Sequence, residues 1–248
     1  MRLALLARTL LPAAAAAAAL LCAAPALAHA PARRTPAPNK RLRHSESLNW
    51  SGYAVSGHGP YTSVQARWTQ PAVDCAKTPT AWSSFWVGLD GDTTGTVEQT
   101  GTEADCSSGS AVYYAWYEMY PHYPVEYANP VAPGDSMSAA VTYLGRGYFR
   151  LTITDATRGW SQSTRQRLPS AKLGSAEIIA EAPSSGGQVL PLADFGEANF
   201  AGATVDGATL TATTPGLDPI TMVSSSGALE AAPSSISDGA FSDTWYSE

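Results

Sequence analysis

The feature that most constrains this fold is a series of short segments rich in Val, Thr, Tyr, Trp and Ile, separated by Gly, Pro, Ser and Asp. The first group favours strands and the second favours turns, while no long amphipathic pattern indicates a helix. The segment LGRG at 144–147 predicts a hairpin turn. The candidate strands are 61–70, 82–90, 96–101, 111–120, 136–144, 148–156, 175–183 and 208–214. The sequence therefore predicts an all-β fold, a two-sheet antiparallel β-sandwich.

Successive residues of a strand point to opposite faces, so the sequence also predicts which side chains share a face. One set of faces carries aromatic and acidic side chains: Tyr114, Trp116, Glu118, Trp86, Asp90, Glu177 and Glu181. The opposite faces carry apolar side chains: Phe85, Val87, Leu89, Ala176, Ile178 and Ala180. The first set fits an aromatic-lined polar groove on the concave side of one sheet, and it also fits an ordinary solvated face.

The amino-terminal residues 1–30 have the pattern of a secretory signal peptide, with a basic start, an Ala/Leu core and small residues before a cleavage site. The alternative is a transmembrane anchor, but the run is short and is broken by Pro12 and Pro25. We therefore expect a secreted, extracellular protein with no membrane contact after cleavage. Residues 31–47 are basic and Pro-rich, so we expect a disordered linker or short propeptide. Residues 48–248 are expected to form one domain.

Charge divides sharply at Glu46. All 21 acidic residues lie at Glu46 or later, whereas seven of the 15 Lys and Arg residues precede it. From Glu46 onward the formal charge is 8 minus 21, or −13. We expect no nucleic-acid binding by so acidic a surface. The acidity suits a protein that works in acid, and it would also serve solubility alone. The division further suggests that segment 31–47 covers an acidic groove near neutral pH and leaves as carboxylates protonate.

The cysteines and histidines restrict the possible chemistry. Cys22 lies in the predicted signal peptide, which leaves Cys75 and Cys106 to form a predicted disulfide in an oxidising compartment. With only His58 and His122 in the mature domain and no G-x-S-x-G motif, a serine triad and a zinc site both lack support. We expect no metal and no cofactor. The remaining groups allow carboxylate acid–base catalysis or binding.

Seven segments resemble, in this order, those of the eqolisins, the glutamic peptidases of the scytalidoglutamic peptidase type. They are NWSGYAV (49–55), WTQP (68–71), FWVGLDGD (85–92), VEQTG (97–101), AWYEMYP (115–121), SAEIIAEAP (175–183) and ADFGEANF (193–200). The resemblance implies a concanavalin A-like sandwich with a concave substrate groove. It also implies an acid-active endopeptidase that uses a Gln/Glu dyad and needs no cofactor.

The resemblance assigns roles residue by residue. The glutamine of the family's Q-T-G segment is Gln99 here, and the catalytic glutamate, the first Glu of its A-E-W-I-V-E segment, is Glu177. The tryptophan of W-V-G-[IL]-D-G is Trp86, expected in the groove. The aspartate that follows it is Asp90, and the glutamate of W-Y-E-x-Y-P is Glu118. Both are expected to orient the dyad through hydrogen bonds.

The sequence departs from the family where Ile178 replaces the usual Trp after the catalytic glutamate. By alternation Ile178 points away from Glu177, so we expect an effect on packing more than on chemistry. Glu181 shares the face of Glu177 and would substitute for it if the dyad were assigned wrongly.

An amide beside a carboxylate suits peptide hydrolysis in acid. The glutamate can take a proton from water and return it to the leaving amine. A glutamine offers N–H donors and a carbonyl acceptor at any pH, so Gln99 could hold the water and stabilise the oxyanion. The expected partners are protein or peptide substrates, and we expect a monomer. Two alternatives remain open: a lectin-like carbohydrate-binding module, and a glycoside hydrolase that uses Glu118 and Glu177.

Overall fold

The computed structural model of the chain describes residues 34–43 and 45–247, so the predicted signal peptide at 1–30 lies outside the described residues. Every regular element in the described part is a β-strand, which confirms the all-β prediction. The nineteen strands are β1 (Arg41–Arg43), β2 (Glu46–Ser47), β3 (Trp50–Ser56), β4 (Ser63–Thr69), β5 (Ser84–Leu89), β6 (Val97–Ser107), β7 (Ser110–Tyr120), β8 (Val125–Glu126), β9 (Ser136–Gly145), β10 (Tyr148–Asp155), β11 (Trp160–Arg167), β12 (Ser175–Glu181), β13 (Ser184–Ser185), β14 (Gln188–Val189), β15 (Glu197–Val205), β16 (Ala208–Thr209), β17 (Leu217–Val223), β18 (Leu229–Pro233) and β19 (Phe241–Trp245). No helix in the described part is long and apolar enough to cross a membrane.

Two sheets share strand β17. The front sheet is antiparallel and has the strand order β17-β3-β12-β5-β6-β7-β8. The back sheet has the order β11-β10-β9-β4-β15-β19-β18-β17-β2-β1, in which only β17 and β2 run parallel. The first four residues of β17 pair with β3, and the last three continue in the back sheet.

The core lies between the two sheets. The front sheet contributes the side chains that alternation places on its apolar faces, among them Phe85, Val87, Leu89, Ala176, Ile178 and Ala180. The back sheet contributes Trp68, Met137, Val141, Leu151, Ile153 and Phe200. A polar bond crosses the core, since Trp68 Nε1 donates to Thr102 Oγ1 at 3.1 Å. Burying such aliphatic and aromatic side chains stabilises the fold by roughly 1.5–3 kcal/mol each.

The structure extends the strand predictions and corrects one of them. Seven of the eight predicted segments contain a long strand, and the hairpin turn at 144–147 joins β9 to β10. In the segment 208–214 only Ala208–Thr209 pairs. The sequence pattern missed β3, β15 and β17 to β19, and it missed β11, whose sequence WSQSTRQR has no Val or Ile. Pairing with β10 along its whole length makes β11 a strand despite its weak propensity.

The prediction of disorder for 31–47 is wrong for the residues that the structure describes. Thr35 forms a β-bridge with Ser184, and the segment then forms β1 and β2. Ala37 is only 6% exposed. The segment has little apolar surface of its own, but strand pairing and carboxylates of the domain hold it in place.

The predicted disulfide is present. Cys75 and Cys106 are bonded, with a Cα–Cα distance of 5.3 Å. The bond ties the loop after β4 to the end of β6.

Candidate active site

The strand register brings Gln99 and Glu177 into one row of the front sheet. Glu177 pairs with Gly88 of β5, and Gly88 pairs with Gln99 of β6. Gln99 in turn pairs with Glu118 of β7. Directly paired residues of antiparallel strands point to the same face, so the three long polar side chains project from one side of the sheet. With strands about 4.8 Å apart, the backbones of Gln99 and Glu177 are separated by roughly 10 Å across a residue that has no side chain.

Gly88 separates Gln99 from Glu177 without a side chain of its own. A Cβ atom at Gly88 would lie 2.8 Å from Trp86 Cζ3 and 3.2 Å from Gln99 Cβ. Both distances are shorter than ordinary carbon contacts, so any side chain here would displace the indole or the amide. The missing side chain leaves room for the Trp86 ring, which lies against the row between Gln99 and Glu177.

The amide of Gln99 is held by Glu118. Gln99 Nε2 donates to Glu118 Oε2 at 2.7 Å, in the orientation that the hydrogen-bond network favours. Gln99 Oε1 has no hydrogen-bond partner among the described residues. One N–H and the carbonyl oxygen of the amide are therefore available to a ligand. Burial raises the pKa of Glu118 well above its usual value, aided by Glu181 and opposed by the bond to Gln99.

The carboxyl of Glu177 is fully buried, and neither of its oxygens has a hydrogen-bond partner by geometry in the described part of the chain. Burial raises its pKa well above the usual value, although the Ser175 hydroxyl nearby favours the charged form. The acidic groups Asp92, Asp90 and Glu98 raise the pKa further. A carboxyl with free oxygens and a strongly perturbed pKa is typical of a functional site.

Trp86 lies one row from the dyad on the same face. Its Nε1 donates to Glu181 Oε2 at 2.8 Å, and its ring meets Trp50 edge-on with centroids 5.0 Å apart. Both indoles are fully buried with Ile179 and Trp116 in a second hydrophobic cluster on this face. The two indoles thus form an apolar floor beside the polar row.

Glu181 lies two rows from the dyad, where it pairs with Ser84 and Trp50. Besides the Trp86 bond, it accepts the backbone N–H of Ala37 at 2.8 Å and Asn49 Nδ2 at 3.2 Å. Burial raises its pKa to about 8, opposed by these hydrogen bonds. The register places Glu177, and not Glu181, opposite Gln99.

Asp90 has a different position from the one that alternation indicates. It follows the end of β5 with a left-handed φ of 67°, so its side chain does not continue the strand's alternation. Its carboxylate accepts the backbone N–H groups of Lys172, Leu173 and Gly174 at 2.7–2.8 Å. It therefore anchors the loop that leads into β12, and among the described residues its carboxylate forms no direct hydrogen bond with Glu177.

Two further acidic residues on this face were missed because the predicted strand ended at Gly101. In the structure β6 continues to Ser107, which places Glu103 and Asp105 on the face of Gln99. Burial raises the pKa of Asp105 to about 7, opposed first by the positive charge of Arg34. Alternation would have found both residues if the strand had been extended.

Residues 34–41, here called the covering segment, lie across this acidic face. The guanidinium of Arg34 lies 3.5 Å from Asp105 and faces the ring of Trp82. Farther along, Arg41 forms ion pairs with Asp92 and with Asp218, the latter at 3.1 Å.

The same segment makes polar contacts between these two ends. Asn39 Nδ2 donates to Asp92 Oδ1 at 2.8 Å, and the Asn39 backbone N–H donates to Gly91 O at 3.1 Å. Asp92 thus receives donors from two residues of the covering segment, Asn39 and Arg41. The sequence suggested such a cover from charge alone, and the structure identifies carboxylates that contact it.

The described residues contain no group of three or more His, Cys, Asp or Glu side chains that could hold a metal ion. His122 lies in the turn after β7, and His58 in the loop after β3. Neither belongs to the row of Gln99 and Glu177.

Comparison with known proteins gives consistent matches. The sequence profile of the Peptidase A4 family matches residues 48–244. Aspergillopepsin-2 of Aspergillus niger is 30% identical over 190 residues, which cover 66% of this chain and 66% of that protein. Scytalidopepsin B of Scytalidium lignicola is 31% identical over 113 residues, which cover 45% of this chain and 41% of that protein. The chain thus spans about two thirds or less of the length of these curated relatives.

Solved structures show the same fold. Scytalido-glutamic peptidase, in a complex with a transition state analog inhibitor, superposes with a TM-score of 0.71 at 23% identity. That match covers 80% of this chain and 98% of the other. Aspergilloglutamic peptidase from Aspergillus niger superposes with a TM-score of 0.59 at 28% identity, covering 67% and 99% of the two chains. The family profile covers most of the chain, and the chain belongs to the Peptidase A4 family, the eqolisin or glutamic peptidase family that its motifs resemble.

Proposed function

We propose that the protein is a secreted, acid-active endopeptidase in which Glu177 and Gln99 act on one water molecule. The observation that carries this proposal is the shared row of Glu177, Gly88 and Gln99 in the front sheet. Family membership supports peptide hydrolysis, and related structures hold a transition state analog inhibitor or a tripeptide.

The proposed reaction proceeds in two steps. Ionised Glu177 takes a proton from water as the water oxygen attacks the scissile carbonyl carbon, and Gln99 donates its free N–H to the oxyanion that forms. Glu177 then gives the proton to the amide nitrogen, the C–N bond breaks, and a carboxylic acid and an amine leave. Removing one oxyanion donor costs roughly 2.7–4 kcal/mol of barrier in other hydrolases.

Glu118 has a supporting role in this proposal. By accepting one N–H of Gln99, it fixes the amide and leaves the second N–H and the carbonyl oxygen for a ligand. The same contact weighs against the glycoside hydrolase alternative. Gln99 and Gly88 separate Glu118 from Glu177 in the row, and the bond to Gln99 occupies Glu118 Oε2.

Covering the groove keeps the proposed base neutral. Burial is the largest cause of the raised pKa of Glu177. Opening the groove to water would weaken this cause, so the pKa of Glu177 would fall and the carboxyl would ionise at lower pH than in the covered chain. Acid activity therefore requires an open groove.

The covering segment is proposed to act as a short propeptide, held by ion pairs between its basic residues and carboxylates of the domain. Arg41 is held by Asp92 and Asp218, and Arg34 is held by Asp105. As carboxylates protonate in acid, these ion pairs weaken and the segment can leave. Segment 31–47 would then be removed, which leaves a domain that begins near residue 48.

The test is to incubate the purified chain with a denatured protein at about pH 3–4 and at about pH 7. We expect cleavage in acid that resists aspartic-peptidase inhibitors, metal chelators and serine-directed reagents. A folded chain that cleaves nothing at either pH would contradict the proposal and favour a carbohydrate-binding module.

A further inference from the structure

The peptide unit around Ala37 is bound on both sides by groups of the front sheet. Its N–H donates to Glu181 Oε1 at 2.8 Å, and its C=O accepts Trp50 Nε1 at 2.9 Å. Asn49 Nδ2 lies 3.3 Å from the same carbonyl oxygen. All of these bonds go to the main chain of Ala37, so they would form with almost any residue at that position.

These binding groups belong to the peptidase domain, whereas their occupant does not. Asn49, Trp50 and Glu181 lie within residues 48–244, the range that matches the family profile, and Ala37 lies outside it. When the covering segment leaves, Trp50 Nε1 loses its partner and Glu181 Oε1 keeps only Asn49 Nδ2. Buried polar groups require a replacement, which water or another polypeptide can supply.

The distance of Trp50 and Glu181 from the dyad determines which residue of an extended substrate they can contact. Glu181 follows Glu177 by four residues on β12, which at about 3.3 Å per residue places it roughly 13 Å along the strand. An extended peptide that lies along β12 rises by the same amount per residue. Its fourth residue from the cleaved bond would reach Glu181 and Trp50.

We propose that Trp50 Nε1 and Glu181 Oε1 form a main-chain clamp for an extended substrate, about four residues from the cleaved bond. This inference rests on the proposed peptidase function. The clamp selects polypeptides that extend past the cleaved bond by at least this length, without regard to their sequence. The covering segment occupies the clamp as a substrate would.

The experiment compares two peptides that share the same cleaved bond, one extending six residues on each side and one extending two. We expect the full chain to cleave the long peptide with a kcat/KM at least about tenfold higher. In Trp50→Phe, which keeps an aromatic ring but removes the indole donor, this ratio should fall severalfold, because only the Glu181 acceptor of the clamp remains. Release of the covering segment in this variant affects both peptides alike, so it cancels in the ratio.

Trp160→Phe is the matched control, because Trp160 Nε1 also donates to a backbone carbonyl at 2.9 Å, that of Pro130, on the back sheet. It should leave the ratio unchanged. A ratio near one in the parent chain, or a high ratio that Trp50→Phe leaves intact, would overturn the clamp. If Trp50→Phe does not fold, Glu181→Gln serves in its place, since it removes one of two oxygen acceptors.

A binding measurement separates failure of the clamp from failure of the proposed function. The long and short peptides are titrated onto Glu177→Gln, with the affinity measured by calorimetry. Tighter binding of the long peptide that is lost in Glu177→Gln/Trp50→Phe supports the clamp even if the parent chain cleaves neither peptide. Equal affinities for the two peptides would overturn the clamp even if both are cleaved.

Discussion

The two sheets of the sandwich differ in the burial of their outer faces. In the back sheet, β4 and β11 alternate between inward and solvent-facing residues along their length. In the front sheet, β5, β12 and the first ten residues of β6 are buried on both faces. The back sheet follows ordinary amphipathic alternation, with Ser, Thr, Gln and Arg facing water. The front sheet differs because its outer face is polar and also buried. We therefore associate the polar residues of that face with function.

The largest effect is expected on the front sheet when the proposed base is removed. Glu177→Gln keeps the shape of the side chain but cannot take a proton, so turnover should fall by on the order of a thousandfold or more. Glu197→Gln on β15 of the back sheet removes an exposed carboxylate and should leave kcat unchanged. Both variants should unfold at the temperature of the parent or above. Equal activity of the two variants would remove the distinction between the sheets.

A smaller but still large effect is expected at Gly88. In Gly88→Ala the added methyl group meets Trp86 and Gln99, which should lower the free energy of unfolding by about 1–3 kcal/mol and reduce kcat. Gly95→Ala is the control, because a Cβ there meets no atom within 4 Å. It should change stability by less than about 0.5 kcal/mol. Urea unfolding and initial rates at one pH give both quantities, and a neutral Gly88→Ala would show that the row has room for a side chain.

The buried carboxyls predict stability that declines as pH rises. Burial raises the pKa of Glu98 to about 9 and that of Glu181 and Asp243 to about 8. In the unfolded chain these groups titrate near pH 4, so between about pH 4 and pH 9 the folded chain binds more protons. The stabilisation is complete below about pH 4 and is lost as pH rises through the folded values. Urea unfolding at several pH values tests this, and rising stability from pH 5 to 9 would contradict it.

Asp243 provides a variant for the same measurement. Its Oδ1 accepts the Ser51 hydroxyl at 2.7 Å between the sheets, and Asn can keep that acceptor without ionising. Asp243→Asn should therefore flatten the fall in stability between about pH 4 and pH 8 and leave stability near pH 4 little changed.

The smallest effect is expected from the covering segment. Arg41→Gln removes two ion pairs that are partly exposed, so each contributes modestly. The initial cleavage rate near about pH 6 should rise roughly two- to tenfold, with no change near about pH 3. Arg67→Gln, at an exposed position of β4, is the matched loss of charge and should change neither rate. No increase for Arg41→Gln would remove Arg41 from the proposed covering function.

The sequence could predict much of the sandwich and the candidate site because both depend on local patterns. Alternation correctly separated Glu177 from Ile178, and the motifs led to Gln99 and Glu177. What it could not predict depends on tertiary pairing. Polar β11 is a strand only because β10 pairs with it, and the left-handed turn at Asp90 ends the alternation.

The order of the covering segment also depends on tertiary contacts that the sequence could not predict. Its own residues offer little apolar surface, so composition indicates disorder. Its order depends in part on partners more than fifty residues away in the chain, such as Asp92 for Arg41 and Glu181 for Ala37. Charge separation along the sequence could suggest that the segment meets the acidic domain, but not which peptide unit is bound.

A double-mutant cycle tests most directly whether Gln99 and Glu177 act on one water molecule. Rates of peptide hydrolysis would be measured for the parent chain, Gln99→Ala, Glu177→Gln and the combined variant, with folding checked for each. Groups that act as a unit give strongly non-additive losses, so the combined variant should be about as slow as the slower single variant. Losses that multiply, as for independent sites, would contradict a water molecule shared by Gln99 and Glu177.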